Sequence, residues 1–378
     1  MTTYGFLSTY PPTRCGLATF TAALVNAISA NGSDTCVVVR VDDLVPAGPS
    51  LPGPRIRLAG TLHPDNPQST AQAAAQLNRC DVAIVQHEYG IYGGPDGDQV
   101  LDLLARLRTP SIIVLHTVLA EPTQHQREVL MLACNFVDTV VVMTHRAQAL
   151  LVSDYAIPAE RIQLIPHGVD PWLAGPEAVD CDRPTVLTWG LLGPGKGIEW
   201  GIRALAELRD LSPHVRYRVL GQTHPKVLRE QGDRYRSGLL DLAAMLGVSD
   251  DVEIDGRYQA SEELADAVAS ADLVLLPYDS IDQSTSGVLT EAVAAGKVVI
   301  ATRFPHAVEL LSDGRGLLVE HQNPSEIAAT IREVLSNPSY AAAAQTRAST
   351  EAERNSWANV ADRYRALVAG PARTSISA

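Results

Sequence analysis

Short apolar runs rich in β-branched residues alternate with segments of helical character along most of this 378-residue chain. Parallel strands that are covered by helices on both faces read as short, almost continuous apolar runs, because both faces are buried. In the first half such runs lie at 5–7, 36–41, 81–86, 111–116, 139–143 and 162–165, and helices are predicted at 17–31, 98–107 and 122–135. The alternation therefore predicts a parallel sheet with helices on both faces.

The same alternation restarts after a proline-containing break at 166–184. Strands are predicted at 185–189, 216–220, 252–255, 273–276, 298–302 and 316–319, and helices at 198–210, 237–246, 261–270, 288–295 and 324–336. We predict an α/β protein of two Rossmann-like, doubly wound parallel-sheet domains, 1–170 and 171–355, which face each other across an interdomain cleft. The sequence leaves open whether the final helix, around 356–370, packs back on the first domain.

The chain is acidic, with a formal net charge of −13 to which both halves contribute. This charge argues against nucleic acid or an anionic membrane as a partner, because both would repel an acidic surface. We expect a cytoplasmic protein, since no apolar run is long enough to span a membrane and the N-terminus does not resemble a signal peptide. The five cysteines contain no CxxC pair and indicate neither a disulfide framework nor a zinc site. Nothing in the sequence indicates an oligomeric state.

The stretch 278–302 joins a loop of small polar residues to a predicted helix and a buried strand. The loop ends at Gly287, and backbone amides at such a helix start bind anions because they lie at the positive end of the helix dipole. Glu291 lies four residues after Gly287, about one turn along the same helix face. Phosphate on the amides and ribose on the carboxylate would hold a nucleotide. The alternative is a surface loop that caps an ordinary helix beside a solvated glutamate.

A second candidate phosphate loop follows the predicted strand 185–189. It carries four glycines, at 190, 193, 195 and 197, and it places Lys196 among them. Glycines allow backbone amides to approach an anion closely, and the lysine adds a full positive charge. The spacing matches GxxxxGK, but Gly197 stands where a nucleotide hydrolase needs a hydroxyl for Mg²⁺. The loop therefore predicts phosphate binding without that metal site, the alternative being a glycine-rich turn with a solvated lysine.

The first half places other polar side chains at predicted strand ends. His116 lies at the end of the strand 111–116, just past Leu115, and His87 and Glu88 follow the strand 81–86, so all three are expected to face the cleft. The first loop, 11–16, lacks the GxGxxG of a dinucleotide site. The chain also contains no GxSxG elbow and no HExxH metal motif.

Together these motifs resemble those of the family 4 glycosyltransferases, which are retaining enzymes of the GT-B fold, over essentially the whole chain. The resemblance is carried by TWGLLGPGKGIEWGIRAL (188–205), VLGQTHP (219–225), YDSIDQSTSGVLTEAVAAGKVVIAT (278–302) and ELLSDGRGLLV (309–319). IPHGVD at 165–170 is similar to the family's interdomain hinge.

The resemblance implies a nucleotide-sugar donor on the second domain and its acceptor on the first. Lys196 would neutralise the donor diphosphate, and Glu291 would bind the ribose hydroxyls. The other donor-binding residues implied are Gly190, Gly195, Tyr258 (at the base), Ser286, Gly287, Val288 and Leu289. From the first domain, the loop with Gly16 would close over the donor and His116 would lie near the donor sugar. We expect the acceptor, a carbohydrate or small molecule, near His87, Glu88 and Tyr89.

Two positions depart from the family pattern. Gln283 replaces the first glutamate of E-x7-E, so this catalytic position carries no charge with which to stabilise a positive anomeric carbon. Leu191 replaces an arginine that often follows the first glycine of the second-domain loop. We hypothesise that Arg14 supplies the missing cation.

The resemblance implies transfer of a hexose, with GDP-mannose as the first donor candidate and UDP-glucose the second. No cofactor is expected, and a metal ion is not required if the lysine and the amides neutralise the diphosphate. The alternatives are a nucleotide-sugar epimerase or a sugar phosphorylase of the same fold, or a sugar-nucleotide-binding protein that has lost activity. A dehydrogenase fits least, because the dinucleotide fingerprint is missing.

Overall fold

The structure is a computed structural model that describes residues 1–41, 53–64, 66–170, 182–312 and 314–369. The chain folds into two compact units. The first contains Met1–Met143, Ala147–Gly168 and the chain from Ser356 onward, and the second contains Thr144–Arg146 and Val169–Asn355. Much of the proposed connection at 166–184 lies outside the described residues.

Seven strands form the sheet of the first unit. They are β1 (Thr3–Ser8), β2 (Thr35–Val41), β3 (Ile56–Leu62), β4 (Val82–His87), β5 (Ser111–Leu115), β6 (Thr139–Val142) and β7 (Ile162–Leu164). All are parallel, in the order β3-β2-β1-β4-β5-β6-β7. The chain runs outward from β1 to β3 and returns to β4 on the other side of β1, so the strand order reverses between β1 and β4. Ligands of doubly wound sheets bind beyond the carboxyl ends of such strands.

Between β1 and β7, the described part of the chain forms five α-helices: α1 (Gly16–Ser29), α2 (Pro67–Leu77), α3 (Val100–Leu104), α4 (Gln124–Phe136) and α5 (His145–Ser153). Side chains at the N-caps of α1, α2 and α4 accept hydrogen bonds from the first backbone N–H groups. The Asn66 side chain accepts two backbone N–H groups of α2, and Thr123 forms a capping box with Gln126 at α4. The strands between them are buried on both faces, and every residue of β4 and β5 is buried.

Two hydrophobic clusters fill the two faces of the first sheet. One contains Phe20 and Leu24 of α1 with Ile84 of β4. The other contains Leu77 of α2 and Leu130 of α4, together with neighbouring strand residues. Successive strand residues contribute to opposite clusters, which is the geometry that a two-sided α/β sheet requires.

The second unit repeats this design with six strands. They are β8 (Thr185–Trp189), β9 (Arg216–Leu220), β10 (Val252–Asp255), β11 (Leu273–Leu276), β12 (Val298–Thr302) and β13 (Leu317–Val319). The order is β10-β9-β8-β11-β12-β13, and all pairs are parallel. The strand order reverses between β8 and β11, so the loops after these two strands flank the expected ligand site of this unit.

Among the described residues, eight α-helices belong to the second unit: α6 (Ile198–Ala206), α7 (Pro225–Gln231), α8 (Arg234–Met245), α9 (Ser261–Ala269), α10 (Gly287–Ala294), α11 (Pro305–Leu311), α12 (Pro324–Ser336) and α13 (Ser339–Arg354). Ile202 of α6 and Ile331 of α12 lie in the cluster on one face of the sheet. Leu289 of α10 and Leu311 of α11 lie in the cluster on the other face.

The last helix, α14 (Trp357–Ala369), belongs to the first unit, which answers the question that the sequence left open. Trp357, Val360 and Tyr364 share a cluster with Phe20 of α1. Arg365 reinforces this packing, because its guanidinium donates to the backbone carbonyls of Ala27 (2.9 Å) and Ile28 (2.8 Å) and lies 3.3 Å from the Asp34 carboxylate. A cation at these last carbonyls of α1 is favoured by the helix dipole.

The predicted fold class is confirmed, and the predicted bounds of β8 to β12 match the structure. The sequence interpretation missed β3, α2, α5, α7, α11 and α13, and it made α3 too long. β3 was missed because it is an edge strand with exposed residues and a glycine, so it lacks the apolar run of a central strand. Within the described ranges, no helix is both long enough and apolar enough to cross a membrane.

Candidate functional site

The loops after β8 and β11 are tied together at the point where the strand order reverses. The Asp279 backbone N–H donates to the Gly195 carbonyl at 2.9 Å, and the Trp200 indole N–H donates to the Asp279 carboxylate at 3.0 Å. Gly197 approaches the second loop so closely that a Cβ there would lie 1.8 Å from the Pro277 carbonyl oxygen. The glycine loop is thereby held against the segment that leads into α10.

Lys196 lies in this loop as a half-buried cation. Its Nζ is 4.0 Å from the centroid of the Tyr278 ring, and that ring stacks on Phe304. A cation over an aromatic face is attracted by the ring quadrupole, so the contact orients the lysine without neutralising it. No carboxylate among the described residues forms a salt bridge with Lys196. Its positive charge is available to an anionic ligand.

The start of α10 offers two uncommitted backbone amides. Ser286 caps the helix, because its Oγ accepts the Leu289 N–H at 3.2 Å. The Ser286 N–H donates to Nδ1 of His306 at 2.9 Å. In the part of the chain that the structure describes, the N–H groups of Gly287 and Val288 have no such partner. Of the four positions that the resemblance implied, Ser286 and Leu289 have protein acceptors for their amides, and the amides of Gly287 and Val288 remain for a ligand.

Glu291 lies one turn further along α10, as the spacing predicted. Its Oε2 accepts the Trp189 indole N–H at 3.3 Å. Burial raises the pKa of the Glu291 carboxyl to about 7, the Trp189 hydrogen bond opposes this shift, and the charge of Asp170 adds to it. A carboxyl group that is half ionised near neutral pH suits a site where a ligand's hydroxyls replace water as hydrogen-bond donors.

For the two remaining predicted donor-site residues, the structure shows a loop contact at Gln283 and an exposed side chain at Tyr258. The Gln283 side-chain amide donates to the Thr285 carbonyl, and its backbone carbonyl accepts the His306 N–H at 3.3 Å. Gln283 therefore shapes the loop before α10. Tyr258 follows β10 and is 47% exposed, so it is accessible to a ligand.

Sequence reasoning missed His306 and Trp189, although both organise this site. His306 holds the Ser286 backbone from α11, a helix that the sequence interpretation did not identify. Trp189 holds the Glu291 carboxylate from the last residue of β8. Trp189 stands directly before Gly190 in the sequence, and this position could have indicated that it belongs to the site.

In the first unit, the loop after β1 leads into α1. Arg14 and Gly16 are exposed, and a Cβ on Gly16 would meet nothing within 4 Å. Cys15 caps α1 with its Sγ, which accepts the Ala18 N–H at 3.4 Å. Arg14 and Gly16 are therefore accessible at the carboxyl edge of the first sheet.

His116 lies just past β5 and is fixed by two neighbours. Its Nε2 hydrogen-bonds Oε1 of Gln86 at 2.7 Å, and its ring contacts Phe20 edge-on at 4.9 Å. Burial, assisted by His167 and His87, lowers the pKa of His116 to about 3, so the ring is neutral near pH 7. With the Gln86 carbonyl as acceptor, Nε2 carries the proton and Nδ1 has the lone pair.

The predicted acceptor residues lie at the end of β4, where His87 is the last strand residue, and directly after it. His87 is 1% exposed, and burial lowers its pKa to about 4. The Glu88 carboxylate accepts the Thr117 hydroxyl at 2.6 Å and the Tyr89 backbone N–H at 3.0 Å, and burial raises its pKa. The buried His87 ring contacts the Tyr89 ring edge-on, with 5.2 Å between the ring centroids. No group of three or more His, Cys, Asp or Glu side chains within the described residues could hold a metal ion.

Two family models match this chain, and together they span most of it. Residues 15–173 match the model described as Glycosyltransferase Family 4, and residues 183–337 match the one described as Glycosyl transferases group 1. The chain belongs to the family 4 glycosyltransferases. Each unit described above carries one of the two matches.

Named relatives of this glycosyltransferase family member are distant. A D-inositol 3-phosphate glycosyltransferase of Segniliparus rotundus is 29% identical over 62% of this chain and 54% of its own length. A GDP-mannose-dependent alpha-(1-6)-phosphatidylinositol monomannoside mannosyltransferase of Mycolicibacterium smegmatis is 29% identical over 55% of this chain and 56% of its own. The chain thus spans about half the length of the curated relatives it matches.

Solved structures match the fold over nearly the whole chain. HepE of Anabaena in complex with UDP and glucose has a TM-score of 0.75 at 16% identity, covering 98% of this chain and 100% of its own. The sucrose-phosphate synthase of Thermosynechococcus elongatus has a TM-score of 0.76 at 20% identity, with the same coverage. The fold is therefore the two-domain, Rossmann-like GT-B fold.

Proposed function

We propose that the protein is a retaining glycosyltransferase that moves a hexose from a nucleoside diphosphate sugar to a hydroxyl of an acceptor. One arrangement supports the proposal: Lys196, the free amides of Gly287 and Val288, and Glu291 all lie at the reversal point of the second sheet. A cation and two amides match a diphosphate, and a carboxyl one helical turn away matches the ribose hydroxyls.

The reaction would place most of the developing charge on the leaving diphosphate. The bond between the sugar C1 and the diphosphate oxygen breaks through an oxocarbenium-like state, and the acceptor oxygen bonds to C1. In our proposal the departing phosphate takes the acceptor's proton on the same face, so configuration is retained without a protein nucleophile. Lys196 and the two amides would stabilise that phosphate from fixed positions, which is the most effective form of electrostatic catalysis.

The first unit would contribute His116 and the acceptor. A neutral His116 with its lone pair on Nδ1 can accept a hydrogen bond from a sugar hydroxyl, and Gln86 holds the ring in that tautomer. His87, Glu88 and Tyr89 would define the acceptor side of the loop after β4. We propose GDP-mannose as the first donor to test and UDP-glucose as the second. The mannosyltransferase name of one relative and the UDP and glucose bound by a solved neighbour support this choice.

Binding and turnover test this function directly. We expect one of GDP-mannose, UDP-glucose and ADP-glucose, at 100 times its dissociation constant, to stabilise the folded protein by about 2.7 kcal/mol in thermal unfolding. Adding an acceptor from a panel of inositols and sugars should then release the nucleoside diphosphate. NMR of the product should show the donor's anomeric configuration. Failure of every nucleotide sugar to bind would contradict the proposal.

A second candidate function is favoured by one observation. Gln283 has no charge, and its amide is engaged with the Thr285 carbonyl. A protein that binds sugar nucleotides without transferring the sugar would fit this replacement. Donor binding combined with no nucleotide release over the whole acceptor panel would select this candidate, and restoring the glutamate by Gln283→Glu should then produce measurable turnover.

Glu291 should make donor binding depend on pH. Because its pKa is about 7 in the free protein, the carboxylate is mostly ionised at pH 8 and mostly protonated at pH 6. If the ionised form binds the ribose hydroxyls, nucleoside diphosphate affinity should fall about tenfold from pH 8 to pH 6. Calorimetric titration at the two pH values measures this, and Glu291→Gln should remove most of the dependence.

The same pKa predicts an opposite trend in stability. The folded pKa is raised above the unfolded value, so this group's contribution is fully present below about pH 4.5 and is lost as pH rises through about 7. In the absence of ligand, Glu291→Gln should therefore stabilise the protein relative to wild type more at pH 8 than at pH 5. An affinity loss on acidification that persists in Glu291→Gln would assign the effect to another group.

A further inference from the structure

The segment 222–227 is attached directly to the glycine loop. The Leu192 N–H donates to the Gln222 carbonyl at 2.9 Å, and the His224 N–H donates to the Leu192 carbonyl at 2.7 Å. A Cβ built on Gly193 would lie 3.1 Å from Cγ2 of Val227 and 3.9 Å from Cβ of His224. His224 is thereby fixed beside the loop that carries Lys196, within the same unit.

The His224 ring has one nitrogen occupied and one available. Nδ1 accepts the Lys226 backbone N–H at 3.2 Å, so it carries no proton. In the neutral ring the proton is therefore on Nε2. Within the described ranges Nε2 has no hydrogen-bond partner, and the side chain is only half-buried. The ring presents an N–H donor to a ligand.

Positive charge is concentrated around this ring although the chain as a whole is acidic. Burial lowers the pKa of His224, and the charges of Lys196, Lys226 and Arg229 lower it further. None of these three cations has a carboxylate partner in the part of the chain that the structure describes. Arg236, by contrast, lies 3.6 Å from Asp233. Unneutralised cations at one place favour an anionic ligand.

We propose that His224 is a further ligand of the donor diphosphate, with its Nε2–H donating to a phosphate oxygen while Lys226 and Arg229 add positive charge. The inference rests on the proposed function of this site. In this proposal Lys226 and Arg229 supply, from the adjoining segment, the positive charge that the glycine loop lacks because residue 191 is leucine. Arg14 of the first unit is the rival source of that cation.

The test compares nucleotides that differ by one phosphate. The best-binding nucleoside diphosphate among UDP, GDP and ADP is titrated into wild type and His224→Asn, followed by its monophosphate. Asparagine is a good N-cap, so His224→Asn keeps α7 capped while removing the long Nε2–H donor. Because a hydrogen bond to a charged group contributes about 1.5–3 kcal/mol, the diphosphate should bind about tenfold or more weakly. Monophosphate affinity should change much less.

His214→Ala is the matched control, since His214 precedes β9 whereas His224 follows it. It should leave both affinities unchanged. Equal losses for diphosphate and monophosphate in His224→Asn, or no loss in either, would overturn the inference. So would a diphosphate-specific loss in Arg14→Ala with none in His224→Asn. If wild type binds no nucleoside diphosphate at all, the proposed function itself fails, and that result is distinct from the others.

Discussion

Lys196→Ala is expected to lower kcat/KM for sugar transfer by two to three orders of magnitude. The lysine is the cation of the glycine loop, and its Nζ is oriented over Tyr278 without a carboxylate partner among the described residues. Removing one fixed donor from a developing anion typically costs about 2.7–4 kcal/mol. The loss should appear mainly in kcat, because the leaving phosphate carries more charge in the transition state than in the bound donor. Steady-state kinetics with the identified donor and acceptor measure it.

The fold should tolerate this change. A cation–π contact contributes about 0.5–1 kcal/mol at a partly exposed site, so the melting temperature should fall by only a few degrees. Arg332→Ala is the control, since Arg332 is a partly exposed cation on α12 that pairs with Asp210. That variant should transfer sugar at the wild-type rate. Wild-type turnover in Lys196→Ala would mean that the amides alone stabilise the leaving group.

Gly197→Ala is expected to destabilise the second unit by about 3 kcal/mol or more. Its φ of 61° is in the left-handed region, which costs a residue with a Cβ about 1–2 kcal/mol. The new Cβ would also lie 1.8 Å from the Pro277 carbonyl oxygen, so the two loops would have to separate. Thermal unfolding should show a fall of about 6–12 °C, with a loss of nucleoside diphosphate binding.

Two other glycine-to-alanine variants separate the cost of backbone strain from the cost of the steric clash with Pro277. Gly195 also has a positive φ of 90°, but a Cβ there would meet nothing within 4 Å, so Gly195→Ala should cost only the strain. Gly238 lies inside α8 with open space around it, and Gly238→Ala should stabilise the helix by about 0.5–1 kcal/mol. If Gly197→Ala were no worse than Gly195→Ala, the close approach to Pro277 would not control this loop.

The sequence was most informative where a single element carries the signal. β8 to β12 were predicted with their observed bounds, because central parallel strands read as short apolar runs between clear breaks. The four-residue separation between Gly287 and Glu291 correctly predicted that these two residues lie on one face of α10. Helices such as α13, which is rich in alanine and polar residues, were not recognised because they lack a strong apolar stripe.

The hydrogen-bond partners at the site could not be read from the chain. His306 lies 20 residues from Ser286, and Trp189 lies 102 residues from Glu291. The resemblance implied donor-binding roles for Ser286, Gly287, Val288 and Leu289, but two of these amides already have protein acceptors. The Leu289 amide is occupied locally by the N-cap Ser286, whereas the Ser286 amide is occupied by His306, which only folding brings close. The burial that raises the Glu291 pKa depends on the same packing.

By itself, the sequence determined two parallel α/β units, the positions of the two candidate phosphate loops and membership of a glycosyltransferase family. Those features depend on periodicity, glycine spacing and local motifs, which act over a few residues. Only the tertiary structure decided that α14 packs on α1, that His306 occupies the Ser286 amide, and that His224 adjoins the Lys196 loop. The physical reason is that each of these depends on contacts between segments far apart in the chain, whose partners no local pattern specifies.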